Sequence, residues 1–249
     1  MITPSGGSTS ASPQRVDESH AETAESVWKS LYRVGGAAAL ITAVLIPAQM
    51  IVFVASPPPL GGTAIDWFAV LRANRLLGLL DLDLLLIVDN VLLIPILLAL
   101  YVALRRTSES LMAIGTALGF VGIAAYFASN TAFNMLSLSD QYAAATTDAQ
   151  RSTLLAAGQA MLAIYQGTAF DVYYILGSVS ALMISVVMLR SNIFSRVAAY
   201  AGILANVIAL GLFVPTIGIY LSLGSVVVLE VWYILIARRL FQLGQGVPK

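Results

Sequence analysis

The chain has no cysteine among its 249 residues, so disulfides and thiolate metal sites are excluded. Histidine occurs once, as His20, ahead of the first apolar run. No span can therefore supply a bis-His haem site, a zinc hydrolase site or a Ser–His nucleophile. Lysine is confined to Lys29 and Lys249, which leaves no retinal Schiff base and no Ser–Lys dyad. Walker A and dinucleotide-binding fingerprints are missing. "LGSVS" (Leu176–Ser180) lacks the spacing of a nucleophile elbow. "DLD" (Asp81–Asp83) lacks the Gly turn and distal Glu of a calcium loop. An aspartyl dyad drawn from Asp81, Asp83, Asp89 and Asp171 stays formally open, but no Gly-x-Gly-Asp motif accompanies it. The expectation is a protein without enzymatic activity, cofactor or metal. Charge is scarce as well, at 10% with a net of zero, against about a quarter in soluble domains. Nothing in that balance points to nucleic acid.

What remains is apolar. Hydrophobic residues make up 59% of the chain and the mean hydropathy is +0.87. A soluble fold could not hide that much surface, so the class is all-α, a polytopic membrane protein. Six segments are long enough to cross about 30 Å of hydrocarbon. They are Gly35–Val54, Leu79–Leu104, Leu111–Asn134, Ala169–Leu189, Val197–Phe213 and Ile217–Ile236. Residues 1–28 are polar and rich in Ser, Pro and Gly; they read as a disordered tail, with a short helix conceivable near Asp17–Glu25. Residues 29–243 form the transmembrane domain and 244–249 a second short tail.

Basic residues set the orientation. Arg15, Lys29, Arg33, Arg105, Arg106, Arg190, Arg196, Arg238, Arg239 and Lys249 fall on one side, and only Arg72, Arg75 and Arg151 on the other. The rule that positive charge stays inside then places both termini in the cytoplasm. Trp28, Tyr32 and Trp67 fall where interfacial aromatics belong. The outer loops are the long ones. Ala64–Asn74 reads as an interfacial helix, and Thr147 or Asp148 as the N-cap of a further helix before span 4. That helix, residues 148–167, is expected to lie on or dip into the outer leaflet, with a straight extension of span 4 as the alternative.

Counting about 1.5 Å per residue from the cytoplasmic arginines assigns depths. Asp89 comes out roughly 24 Å above Arg105 and Asp171 roughly 28 Å above Arg190. Asp81 and Asp83 fall at the outer interface. Asn130 and Asn134, four apart, would share a helix face near the same level. Asp89, Asn90, Asn130, Asn134, Asp171 and Tyr174 thus form the candidate ligand-binding set. In the plainer alternative Asp89 bonds to Asn130 or Tyr126. Glu230 and Asn206 come out at matching depths in the inner half, roughly 12 and 15 Å up, and form a candidate intramembrane polar pair. Gly115 and Gly119 fit the small-xxx-small rule. They are expected to pack a neighbour within the chain; a dimer through them is allowed but not expected.

Three strings resemble a bacterial membrane family catalogued as domain of unknown function 4386. They are "DLLLIVDNVLLIPILLALYVALRR" (Asp83–Arg106), "FSRVAAYAGILANVIAL" (Phe194–Leu210) and "LEVWYILIARRL" (Leu229–Leu240). The resemblance implies a six-span bundle in the bacterial cytoplasmic (inner) membrane, with no activity attached. It also implies that Glu230 and the polar second span are shared features. The resulting expectation is an outward-facing polar pocket for a small ligand, a lipid head group or a partner. One alternative is a proton- or cation-coupled carrier using Asp89, Asp171 and Glu230. Another is an assembly partner in a membrane complex. Carriers bind on broken helices, and Pro95 reads as the one proline deep inside a span, which weakens the carrier.

Overall fold

The structure, a computed structural model, describes the backbone of residues 13–246 and the side chains from Trp28 on, Ile219 excepted. All regular elements among the described residues are helical. In chain order they are α1 (Pro13–Ala55), α2 (Ala64–Ala73), α3 (Arg75–Asp81), α4 (Leu84–Leu104) and α5 (Glu109–Ser129). Then come α6 (Ala132–Ala144), α7 (Asp148–Tyr165), α8 (Thr168–Arg190), α9 (Arg196–Leu210) and α10 (Gly218–Gly244).

Six stretches are long and apolar enough to cross a membrane: Trp28–Ala55, Leu84–Leu104, Glu109–Ala144, Asp148–Arg190, Arg196–Phe213 and Tyr220–Gly244. An even number returns the C-terminus to the end where the chain enters, and Arg33 Nε donates to the Gly244 carbonyl there at 3.2 Å. The opposite end is termed distal. The spans close a ring in the order α1, α4, α5, α8, α9, α10 and back to α1. Val44, Ile51, Val121, Val207, Val227 and Ile234 on its outside are exposed, a surface that suits lipid and not water. The half of the bundle near the termini holds a buried core that includes Leu100, Leu104, Met112, Ile184, Phe194 and Ile236.

Several expectations change. The helix starts at Pro13 and runs unbroken into the first span, so the short helix expected near Asp17–Glu25 is part of α1. Residues 1–12 of the expected tail, and 247–249 of the second, lie outside the described residues. The second span starts at Leu84, because the chain breaks at Leu82–Asp83, where Asp83 is left-handed with φ 65° and ψ 35°. Proline also lies inside α1, as Pro47, besides Pro95 in α4, and each removes one backbone hydrogen bond from its helix. Two neighbouring spans therefore carry a proline, not one.

The distal end is a packed cap, not two separate interfacial helices. The stretches holding α5–α6 and α7–α8 run to 36 and 43 residues. At about 1.5 Å per residue both far exceed the hydrocarbon core, so α6 and α7 project beyond it. Together with α2 and α3 they bury Trp67, Phe68, Leu71, Leu82, Met135 and Leu162 in a second core. Trp67 is 0% exposed, in contrast to the interfacial position expected of it. Each cap helix is short and apolar on one face only, and the faces find each other. α7 starts with a reciprocal cap: Gln150 N donates to Thr147 Oγ1 (3.2 Å), and Thr147 N to Gln150 Oε1 (3.3 Å). It ends at Tyr165, and Gly167 in extended conformation separates it from α8, so it is not a straight extension of that span. Asp66 Oδ2 accepts from Thr63 N (2.7 Å) and Oγ1 (2.9 Å) at the start of α2. The backbone bond to Thr63 holds the Asp66 carboxyl below its usual range.

Gly115 and Gly119 pack within the chain, as expected. Ser180 Oγ of α8 donates to the Gly115 carbonyl at 2.6 Å. A Cβ on Gly119 would come 2.7 Å from Leu97 and 2.9 Å from Ser180 Oγ. This face is occupied by α4 and α8 and is closed to a second copy.

Candidate functional site

Two layers of polar groups lie on the bundle axis. The upper layer sits at the break before α4. Asp81 is 1% exposed and Asp83 is buried, although both were expected to be wet. Depth counting could not foresee this, because the groups that cover them belong to the cap. Tyr165 of α7 donates its hydroxyl to Asp83 Oδ2. Tyr126 Oη donates to the Asp83 carbonyl at 3.2 Å. Asn130 Nδ2 donates to the Leu82 carbonyl at 3.1 Å, and Asn130 Oδ1 accepts from Ala132 N at 3.1 Å. Asn130 therefore ties the α3–α4 break to the α5–α6 break. Gln49 of α1 donates to the Leu80 carbonyl at 2.9 Å. Neither oxygen of Asp81 has a partner, although the group is buried. Burial raises the carboxyls of both Asp81 and Asp83, and in Asp83 the Tyr165 hydrogen bond opposes the rise.

This layer is a fastening, not a pocket. The pairing of Asn130 with Asn134 fails, because α5 ends at Ser129 and a new helix starts at Ala132. Asn134 is exposed on α6. Tyr126 and Asn130 bond to backbone carbonyls of the break, not to Asp89.

The lower layer is a cavity of about 250 Å³ in the middle of the ring, walled by residues of all six spans. Asp89 enters from α4, Tyr173, Tyr174 and Ser178 from α8, Asn206 from α9, and Ser222, Ser225, Trp232 and Tyr233 from α10. Leu93, Ile96, Leu97, Ile123 and Leu229 supply the apolar wall. Asp89 is 5% exposed and its Oδ1 has no partner. Thr42 of α1 faces it without completing a hydrogen bond. Asn90, buried beside it, donates to the Leu86 carbonyl at 2.9 Å and leaves its Oδ1 unpaired. The Tyr174 and Ser222 hydroxyls lie 2.6 Å apart and join α8 to α10. Tyr174 also stands edge-on to Phe213, with ring centroids 6.0 Å apart.

Asp171 is not part of this site. It is exposed in the first turn of α8, where a carboxylate suits the positive end of the helix. The expected Glu230–Asn206 pair does not form either. Asn206 Nδ2 turns back to the Gly202 carbonyl on its own helix at 2.8 Å, and Glu230 Oε1 is left without a partner. Asn206 lines the cavity together with Asp89, whereas Glu230 is not among its wall residues. No cation pairs with Asp89 or Glu230: the ion pairs among the described residues are Arg75–Asp140 and Arg151–Asp148, both in the cap.

Thr42, Gln49, Tyr233 and the serines of α10 were not singled out from the sequence. A signal existed for α10. Ser222, Ser225, Leu229 and Trp232 recur at helical spacing, which marks one face turned to a common axis. Comparison with family models, with curated proteins and with solved structures finds no match to this chain.

Proposed function

We propose that this chain is a non-enzymatic integral protein of the bacterial cytoplasmic membrane that binds a small ligand in the central cavity. Its termini are cytoplasmic and the cap faces outward, following the distribution of arginines. The observation that carries the proposal is Asp89, buried with its Oδ1 unpaired, on the wall of a partly open, mainly apolar cavity. Apolar walls with a few fixed polar groups are the usual make-up of a ligand site. A carboxylate left unpaired there costs stability, and a ligand that pairs it recovers that cost. A cavity of roughly 150 Å³ accepts benzene, so 250 Å³ suits a ligand of about ten non-hydrogen atoms. The wall offers no His, Cys or Lys to activate a nucleophile.

Gly177 gives a clean test. It lines the cavity, and a Cβ added there meets nothing within 4 Å. Gly177→Leu should fill the space without straining α8. The purified protein is screened by thermal unfolding against 2-phenylethylamine, 2-phenylethanol and 3-phenylpropionate. A compound present at a hundred times its Kd adds about 2.7 kcal/mol to the folded state. At least one compound should raise Tm in the wild type and none in Gly177→Leu. If no compound shifts the wild type, or if the shift survives the filling, the cavity is not a ligand site.

A second reading is a carrier for protons or cations. Pro47 and Pro95 in adjacent spans and the unpaired oxygens of Asp89 and Glu230 favour it. Uptake driven by a pH gradient in proteoliposomes, lost in Asp89→Asn, separates a carrier from a binding protein.

A further inference from the structure

We infer that the cavity is selective for a small organic ammonium ion, held by Asp89. The inference rests on the ligand-binding reading above and names the chemistry of its ligand. Three features of the wall agree. Asp89 is nine-tenths buried or more, lines the cavity and keeps one oxygen unpaired. Tyr173, Tyr174, Trp232 and Tyr233 surround the same space, and aromatic faces attract cations. No ion pair among the described residues involves Asp89, so its charge has no protein partner. A carboxylate in such a place needs a positive partner.

Other occupants fit less well. An anionic ligand would set a second negative charge beside Asp89. A hard metal ion needs six or more oxygen ligands, or four tight donors for zinc. Among the described residues no three metal-ligating acids, histidines or cysteines come together. A protonated amine needs only one short charge-assisted bond and an apolar body fitted to Leu93, Leu97 and Ile123.

The experiment compares two probes of equal size, 2-phenylethylamine and 2-phenylethanol, at pH 7.5 by titration calorimetry on the full-length protein in nanodiscs. The wild type should bind the amine at least about tenfold more tightly than the alcohol, the range of one charge-assisted hydrogen bond. Asp89→Asn keeps the side chain's size and removes its charge. It should weaken the amine by the same factor and leave the alcohol within about twofold. Equal affinity for the two probes in the wild type, or an amine affinity unchanged in Asp89→Asn, overturns the inference while leaving the cavity a ligand site. This is also the result expected if a proton occupies Asp89. Absence of binding by both probes removes the ligand-binding reading itself. Melting temperatures within a few degrees of wild type establish that Asp89→Asn is folded; if it is not, Gly177→Leu serves as the second variant. Loss of amine binding there supports the site, and retention overturns it.

Discussion

Asn130→Ala is the sharpest perturbation of the fold. The side chain holds two buried breaks together through the Leu82 carbonyl and the Ala132 N–H. Leu82 and Ala132 are each 0% exposed, so water cannot replace the lost partner. A buried backbone group left unpaired costs about 1–3 kcal/mol, and two are released here. The expected loss is thus about 2–6 kcal/mol, with a further small contribution from the Asn130–Tyr126 contact at 3.4 Å. The internal control is Asn134→Ala. Asn134 is exposed on α6 and should change stability by no more than about 0.5 kcal/mol. Both variants are unfolded reversibly by SDS titration from mixed micelles and followed by tryptophan fluorescence, since Trp67 lies in the adjoining cap core. Equal stability of the two variants would show that Asn130 and Asn134 are equivalent, and the break would not be fastened as described.

Two further outcomes follow from the same packing. Asp83 has a carboxyl raised by burial, so its folded value exceeds the unfolded one of about 3.9. The folded state then binds the proton more tightly, and stability falls as pH rises from about 4 through the raised value. Asp83→Asn retains a residue that tolerates the left-handed backbone and an acceptor for Tyr165. Its unfolding midpoint should vary less with pH between 4 and 8 than that of the wild type; an unchanged slope would exonerate Asp83. Gly202→Ala places a methyl against Ser185 Oγ and Trp232 Nε1. It should cost about 1–3 kcal/mol, whereas Gly177→Ala, with open space around it, should gain about 0.5–1 kcal/mol. Matching midpoints for the two alanine variants would contradict the close approach of α8, α9 and α10.

The spans were legible because hydropathy over about twenty residues is a direct reading of the solvent a segment needs. The Thr147 cap was legible because its partner Gln150 is only three residues away. The cap core was not. Trp67, Phe68, Met135 and Leu162 come from three segments, each too short and too mixed to declare a buried face alone. Depth counting failed for a related reason. It fixes a residue's height along its own helix, not the breaks that interrupt that helix or the offset between helices. The breaks at Asp83 and Asn130 therefore separated Asn134 from the set. Asp81 and Asp83, assigned to the surface, were covered by helices far away in sequence. Asn206 and Asp89, assigned to different sites, line one cavity through the tertiary arrangement of α4 and α9. Asp89 itself was picked out correctly as submerged, since an acid in a Leu-rich span has few other places to be.

The most direct test of the central claim is to place a heavy-atom amine in the cavity. Crystals of the protein soaked with 2-(4-bromophenyl)ethylamine are measured at the bromine edge. The account requires one anomalous peak inside the ring of spans, with the ammonium group within hydrogen-bonding distance of Asp89 and the ring among Tyr173, Tyr174 and Trp232. Bromine density only on the lipid-facing surface, or an ammonium group turned away from Asp89, would contradict it.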